Sequence, residues 1–147
     1  MNGRFFLDTN IFVYTFDEAS NKAAKALELV RRALETRKGV VSYQIVQEFF
    51  NVAFRKFSKP MTSADAAQYL TAVFQPLWTI HSSTSLFREA LRLQADHRLS
   101  WYDSLVIAAA MESECKILCG EDTSISSRVS ARHRSTICYA GWFSMSF

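Results

Sequence analysis

Short apolar runs alternate along the chain with longer segments in which apolar residues recur every three or four positions. Four runs predict buried strands, at residues 4–7, 39–41, 77–80 and 116–119. The intervening segments predict helices, over about 21–37, 43–57, 62–74, 83–98 and 101–113. Alternating strands and helices imply βαβ units, whose parallel sheet is covered by helices on both faces. We therefore expect a three-layer α/β/α sandwich with a central parallel sheet.

The apolar spacing also predicts which helix faces are buried. The inward positions expected for three of the helices are Ala23, Leu27, Val30 and Leu34, then Ala67, Leu70 and Phe74, then Leu86, Ala90 and Leu93. The segment after Ser100 is apolar at almost every position from Val106 to Ala110. We expect that helix to be buried on most sides, with Ser100 as its N-cap.

Length and composition fit one globular domain over residues 1–147, with residues 123–147 as an atypical C-terminal segment. The chain is 49% hydrophobic and 21% charged, which is typical of a folded protein. It has no signal-peptide pattern and no apolar run near the ~18 residues of a membrane span, so we expect a cytoplasmic protein. Its three cysteines match no zinc spacing and are expected to be buried thiols. The net charge of +3 is compatible with a nucleic-acid partner without demonstrating one.

Four acidic residues stand where a ligand site is expected. Asp8 comes directly after one predicted strand and Asp122 lies just beyond the end of another, and ligands of parallel sheets bind beyond the carboxyl ends of the strands. Glu48 lies on an apolar helix stripe, where a carboxylate is costly unless a partner compensates it. Asp103 lies at the start of the buried apolar helix. These positions allow the four side chains to meet above the sheet.

Each acid also has a simpler explanation. Asp8 turns the chain and caps the next helix, and Glu48 occupies a helix edge from which its side chain reaches water. Asp103 fits a capping box with Ser100, and Asp122 belongs to an acidic surface turn. Glu121, its neighbour, is an alternative ligand in place of Asp122. None of the four is decisive when taken alone.

Taken together, the four acids predict a metal site. Two unit charges ~4 Å apart repel by about 4 kcal/mol at an effective dielectric near 20, and no Lys or Arg adjoins any of the four in the sequence. Such a cluster must take up protons or a hard cation. Mg²⁺ and Mn²⁺ prefer oxygen ligands and are often held by a few carboxylates.

Four segments that contain these acids resemble the ordered motifs of the PIN-domain family, and within it the VapC-like toxins of toxin–antitoxin pairs. They are residues 6–11 (Phe-Leu-Asp-Thr-Asn-Ile), 47–51, 99–110 and 117–122. The resemblance spans residues 4–122 and implies a PIN-like fold and Mg²⁺- or Mn²⁺-dependent cleavage of RNA. It assigns metal ligation to four residues, Asp8, Glu48, Asp103 and Asp122, and a supporting polar role to Thr9 or Asn10. It also implies a homodimer held inactive by an antitoxin across its helical face.

Two further features bear on partners. Arg55 and Lys59 follow Glu48 along the same stripe, where they either grip RNA phosphates or complement a helix C-terminus. Four phenylalanines between positions 49 and 57 cannot all face one side of a helix. We therefore expect an exposed apolar surface that binds an antitoxin or a second copy of the chain.

Two rival functions remain. One is a regulatory phosphoacceptor or metal-binding module on a similar sheet, but the lysine that it needs is absent near residues 136–139. The other is a catalytically silent relative used for binding, which the presence of all four acids disfavours.

The last stretch departs from the family pattern. Residues 123–135 contain three arginines and no acid, and only 136–139 read as a strand. We expect mobility between Ser124 and Arg134, contacts of Arg128, Arg132 and Arg134 with RNA phosphates, and Asp122 to be the least essential acid.

Overall fold

In the computed structural model, residues 3–121 and the strand at 138–141 are described. The strands are β1 (Phe5–Leu7), β2 (Gly39–Ser42), β3 (Trp78–Ile80), β4 (Ile117–Gly120) and β5 (Cys138–Gly141). The helices are α1 (Thr9–Tyr14), α2 (Ala23–Thr36), α3 (Tyr43–Arg55), α4 (Ser63–Tyr69), α5 (Gln75–Leu77), α6 (Thr84–His97) and α7 (Trp101–Glu112). A π-helical turn, Leu70–Phe74, joins α4 to α5. The predicted elements are confirmed to within a few residues at their ends.

The five strands form one parallel sheet in the order β3-β2-β1-β4-β5. Phe6 is aligned with Val40 of β2 on one side and with Leu118 of β4 on the other. Helices flank the sheet, so the predicted α/β/α sandwich is confirmed. The strand order reverses at β1, and in open parallel sheets such a reversal opens a crevice beyond the carboxyl ends of the strands.

The middle of the sheet is the centre of the core. All residues of β1 and β2 are buried, as expected for strands covered on both faces. Gly39 begins β2 where α2 crosses closely. A Cβ at position 39 would lie 2.3 Å from the Cβ of Ala33, so the helix approaches only because a glycine stands there.

The predicted inward face of α2 was partly wrong, because Val30 is the one residue of the four that is fully buried. The buried residues of this helix are Ala26, Leu29, Val30 and Ala33, whereas Leu27 is 55% exposed. The small side chain of Ala33 permits the close contact at Gly39. Packing at the sheet therefore selected a neighbouring stripe with the same helical spacing.

The face predicted for the helix over 62–74 was also partly wrong. Ala66 and Phe74 are buried, but Ala67 and Leu70 are exposed. The π-helical turn takes more residues per turn than an α-helix and so changes the phase of the apolar stripe. For α6, the predicted burial of Leu86, Ala90 and Leu93 is confirmed.

The predicted character of α7 is confirmed. Every residue from Ser104 to Ala110 is buried, and the Ser100 hydroxyl caps the helix by accepting a 3.1 Å hydrogen bond from the backbone N–H of Asp103.

Among the described residues, no helix combines the length and the apolar character that a membrane span requires. Cys115 and Cys119 are buried free thiols, and burial raises the pKa of Cys119 to about 12. The burial of the two thiols and the raised pKa of Cys119 agree with the expectation of inert thiols.

Candidate active site

A cleft of about 320 Å³ lies where β1, α3 and α7 meet beyond the carboxyl end of β1. The cleft is lined by Asp8, Thr9, Asn10, Gln44, Glu48, Asn51, Val52, Tyr102, Asp103 and Val106. The structure thus brings together three of the four predicted acids and both predicted supporting residues. Asp122, Arg128, Arg132 and Arg134 lie outside the described residues.

Asp8 is fixed by its position at the end of β1. Its backbone N–H donates a 2.9 Å hydrogen bond to the carbonyl of Cys119, which ties it to the neighbouring strand β4. Its Oδ1 accepts a 2.7 Å hydrogen bond from the N–H of Thr9, so the side chain caps α1. The capping explanation is therefore correct, and it leaves the half-buried carboxylate in the wall of the cleft.

Glu48 is held by protein donors on both of its oxygens. The Thr9 hydroxyl donates to Oε2 at 2.7 Å, and Nε2 of Gln44 donates to Oε1 at 2.8 Å. Thr9 is 6% exposed and Gln44 is 4% exposed, so both donors are fixed by packing. Glu48 is consequently oriented inside the cleft and does not extend into solvent.

Asp103 enters the cleft from the first turn of α7. Its backbone N–H is satisfied by Ser100, while its half-buried side chain lines the cleft. The carbonyl of Tyr102, one residue earlier, accepts a 3.3 Å hydrogen bond from Gln44. This bond joins the start of α7 directly to α3.

The donor set fits a hard divalent cation in its chemistry. An ionised carboxylate has about four lone-pair sites, and the two hydrogen bonds to Glu48 leave oxygen capacity for an ion. Within residues 3–121 and 138–141, however, no three His, Cys, Asp or Glu side chains stand close enough to form a metal-binding group. Ligation by Asp8, Glu48 and Asp103 therefore stays a prediction, as does ligation by Asp122, which lies outside the described residues.

Glu121, the alternative ligand, is engaged elsewhere. It forms an ion pair with Lys22, and the Tyr14 hydroxyl donates to its Oε2 at 2.6 Å. The hydrogen bond from Lys22, followed by that from Tyr14, lowers the pKa of Glu121. Glu121 is absent from the cleft wall, and a cation already compensates its charge. These contacts count against Glu121 as a ligand in the cleft.

Besides the apolar Val52 and Val106, three residues of the cleft were missed by the sequence reasoning: Gln44, Asn51 and Tyr102. Gln44 and Asn51 lie four residues before and three residues after Glu48, so they share its helix face. That spacing was available in the sequence. Tyr102 had no such signal, because it takes part through its backbone carbonyl.

Arg55 and Lys59 do not line the cleft. Arg55 ends α3 and is exposed, as is Lys59 in the segment that follows. In the part of the chain that the structure describes, neither forms an ion pair. Their predicted contact with RNA stays a prediction.

A family model described as PIN domain matches residues 5–130. No curated protein matches the sequence. The fold is similar to a toxin–antitoxin complex from Klebsiella pneumoniae, at 16% identity and a TM-score of 0.62 over 95% of this chain and 98% of that one. VapC20 of Mycobacterium tuberculosis, named as a toxin that cleaves the sarcin-ricin loop, aligns at 17% identity and a TM-score of 0.62 over 84% and 93%. FitAcB from Neisseria gonorrhoeae aligns at 10% identity and a TM-score of 0.69 over 96% and 99%.

Proposed function

The chain belongs to the PIN-domain family, and from that premise we propose that it is a Mg²⁺- or Mn²⁺-dependent endoribonuclease, the toxin of a toxin–antitoxin pair. One observation carries the proposal: Asp8, Glu48 and Asp103, from three separate segments, line one cleft beyond the carboxyl end of β1. Structural roles do not require three carboxylates in one cleft, where their charges repel. A hard cation removes that repulsion.

The acids proposed to bind the ion come from different elements of the fold. Asp8 projects from the sheet, the most rigid part of the fold, and is proposed as the central ligand. Glu48, oriented by Thr9 and Gln44, and Asp103, carried by α7, complete the described part of the site. Asp122 is proposed as the fourth ligand. When bound, the cation supplies Lewis acidity, making water a usable nucleophile at neutral pH and offsetting charge that develops on the phosphate.

The supporting roles proposed for other residues follow from where their side chains lie relative to the acids and the cleft. Thr9 orients Glu48, so of the two candidates it is the one with a direct contact to an acid. Asn10 is exposed at the cleft, where its amide is suited to a substrate phosphate or sugar. Arg55 and Lys59 are proposed to bind phosphates on either side of the scissile one. RNA is the proposed substrate, in keeping with the printed description of the mycobacterial relative.

Exposed apolar side chains support the proposal that the chain binds a protein partner. Phe16 is 42% exposed, Phe54 45% and Leu70 37%, although all three are large apolar side chains. Phe16 packs on Phe57 with ring centroids 5.1 Å apart, and Phe54 stacks on Phe50 at 5.8 Å. Where exposed apolar side chains adjoin one another, they form the kind of patch that binds a protein partner. The proposed partners are a cognate antitoxin, as in the Klebsiella complex, and a second copy of the chain.

Cleavage of single-stranded RNA tests the nuclease proposal. Cleavage is expected with Mg²⁺ or Mn²⁺ and none in EDTA. Asp8→Asn, Glu48→Gln and Asp103→Asn should each lower the rate at least about a hundredfold, because they share one site. Asp122→Asn should lower it less. Glu112→Gln, a change of an exposed acid at the far end of α7, is the matched control. Full activity of Asp8→Asn or Asp103→Asn would refute the proposal.

Expression in cells tests the toxin proposal. The chain alone should arrest growth, and co-expression of the genetically adjacent small protein should relieve the arrest and give a complex that co-purifies. The antitoxin is expected to place a basic side chain near the carboxylates, because an acidic pocket attracts one. Harmless expression of a chain shown to cleave RNA would contradict this part.

A second candidate function is a catalytically silent metal-binding module that acts through protein partners. It is favoured by the exposed apolar side chains of Phe16, Phe54 and Leu70, which would serve a protein partner whether or not RNA is cut. The two functions differ in one outcome. A silent module would bind Mn²⁺ and its partner yet leave RNA uncut at saturating metal.

A further inference from the structure

Gln44 is a buried amide that joins the two helices of the candidate site. It is the second residue of α3 and is 4% exposed. Its Nε2 donates to Oε1 of Glu48 at 2.8 Å and to the carbonyl of Tyr102 at 3.3 Å. One amide group therefore connects Glu48 to the turn of α7 that carries Asp103.

The amide of Gln44 is oriented so that its nitrogen donates to Glu48, at the expense of its own oxygen. Its Oε1 is buried and has no hydrogen-bond partner among the described residues. A buried acceptor without a donor is energetically unfavourable. Exchanging the two amide atoms gives no relief, because Oε1 would then face the Glu48 carboxylate and the Tyr102 carbonyl, which are both acceptors. Nε2 of Gln44 thus stays hydrogen-bonded to Glu48, although Oε1 has no hydrogen-bond partner among the described residues.

The geometry points to Gln44 as a positioning residue that fixes the Glu48 carboxylate for the divalent cation. This inference rests on the proposed function and assigns to Gln44 a role that it exerts through Glu48. With Thr9 on one oxygen and Gln44 on the other, the carboxylate plane cannot rotate freely. Removing one of the two donors leaves Glu48 present but less well oriented. Partners behind metal ligands typically contribute about 10–100-fold to metal affinity.

Titration of the full chain with Mn²⁺, followed by the electron paramagnetic resonance of free Mn²⁺, tests this role directly. Gln44→Met keeps the length of the side chain and removes the donor, and it should weaken Mn²⁺ binding about tenfold. Gln47→Met, an exposed position on the same helix, is the matched control and should bind within about twofold of wild type. Wild-type affinity in folded Gln44→Met would overturn the inference.

Two further readouts separate positioning from a structural role. In EDTA, Gln44→Met should melt close to the wild type, because the substitution also removes the unpaired oxygen. At saturating Mn²⁺ its RNA cleavage rate should return to within about threefold of wild type, since only the affinity has changed. A rate that stays low when every site is filled would also overturn the inference.

A second variant covers the case in which Gln44→Met does not fold. Gln44→Asn keeps the amide near the start of α3 but is one methylene too short to reach Glu48, so it too should lose about tenfold in Mn²⁺ affinity. Wild-type affinity in this variant would overturn the inference as well. Failure of the proposed function looks different, because wild type and Glu48→Gln would then bind Mn²⁺ equally poorly. If Glu48→Gln weakens binding and both Gln44 variants do not, only the role of Gln44 is refuted.

Discussion

The hydroxyl of Thr9 donates a 2.7 Å hydrogen bond to Oε2 of Glu48, which joins the turn after β1 to the middle of α3. Thr9 is also the residue whose backbone N–H is capped by Asp8. One threonine therefore contacts two of the proposed ligands, one through its backbone and one through its side chain. The relative placement of Asp8 and Glu48 depends on it.

Substitutions of Thr9 separate its hydroxyl from its shape. Thr9→Val keeps the volume and the backbone bond to Asp8 but removes the donor to Glu48, so Mn²⁺ affinity should fall about tenfold. Thr9→Ser retains the hydroxyl and should stay within about threefold of wild type. Calorimetric titration with Mn²⁺ measures both. Equal affinities for the valine and serine variants would show that the hydrogen bond does not matter for the ion.

Asp8 affects stability through its charge and through its cap, and two variants distinguish these effects. Asp8→Asn removes the charge and retains a good N-cap, so the protein without metal should melt at a higher temperature than wild type. Asp8→Ala loses the cap of α1 as well, at a cost of about 1 kcal/mol.

Thermal melts in EDTA and in Mg²⁺ provide the measurement. At a hundredfold excess over Kd, Mg²⁺ should stabilise the wild type by about 2.7 kcal/mol and Asp8→Asn far less. An Asp8→Asn variant that melts below wild type in EDTA would contradict the proposed crowding of charge.

The Lys22–Glu121 ion pair predicts a pH-dependent contribution to stability. The pKa of Glu121 is lowered from 4.5, chiefly by the hydrogen bond from Lys22, so its contribution is present above that pH and is lost as the pH falls through the folded value. The pKa of Lys22 is raised from 10.5, chiefly by Glu121, so its contribution is lost only as the pH rises above that value.

The melting temperature of Lys22→Met should therefore lie below that of wild type near neutral pH, and the difference should shrink as the pH falls through the lowered pKa of Glu121. The control is Lys25→Met. Lys25 lies one helical turn further along the chain and forms no ion pair within the described residues. A Lys22→Met difference that persists unchanged in acid would show that the effect comes from packing and not from the ion pair.

RNA binding should depend on salt through Arg55. Removing one phosphate contact to single-stranded RNA lowers the slope of log affinity against log salt concentration by about 0.7, irrespective of base sequence. Arg55→Gln should show this change in Ca²⁺, which is used here to occupy the site in place of Mg²⁺. Lys116→Gln provides the matched control, because Lys116 is exposed and precedes β4 at the opposite end of the strands. Identical slopes for the two variants would remove Arg55 from the RNA surface.

The sequence predicted the order and type of the longer elements because buried parallel strands and amphipathic helices have distinct apolar periods, but the short helices α1 and α5 were not predicted. It predicted only part of the inward face of α2, where two stripes have the same spacing and the buried one includes Ala33, which packs closely at Gly39. The phase change at Leu70–Phe74 was also missed, since a π-helical turn has no clear sequence signal.

For the site, local patterns located Asp8, Glu48 and Asp103, because each stands at a strand end or interrupts an apolar stripe. They did not identify the donors that hold Glu48. The bond from Gln44 to Tyr102 joins residues 58 positions apart, and such pairing depends on how α3 and α7 pack. Likewise, the engagement of Glu121 by Lys22 joins residues 99 positions apart along the chain.

The most direct test of the central claim is the position of Mn²⁺ in crystals of the wild-type chain, located by its anomalous scattering. The account predicts a peak in the cleft, at about 2.0–2.3 Å from carboxylate oxygens of Asp8 and at least one of Glu48 and Asp103, and no peak there in crystals of Asp8→Asn. A peak that lies instead at Glu121, or a cleft without Mn²⁺ at saturating concentration, would contradict it.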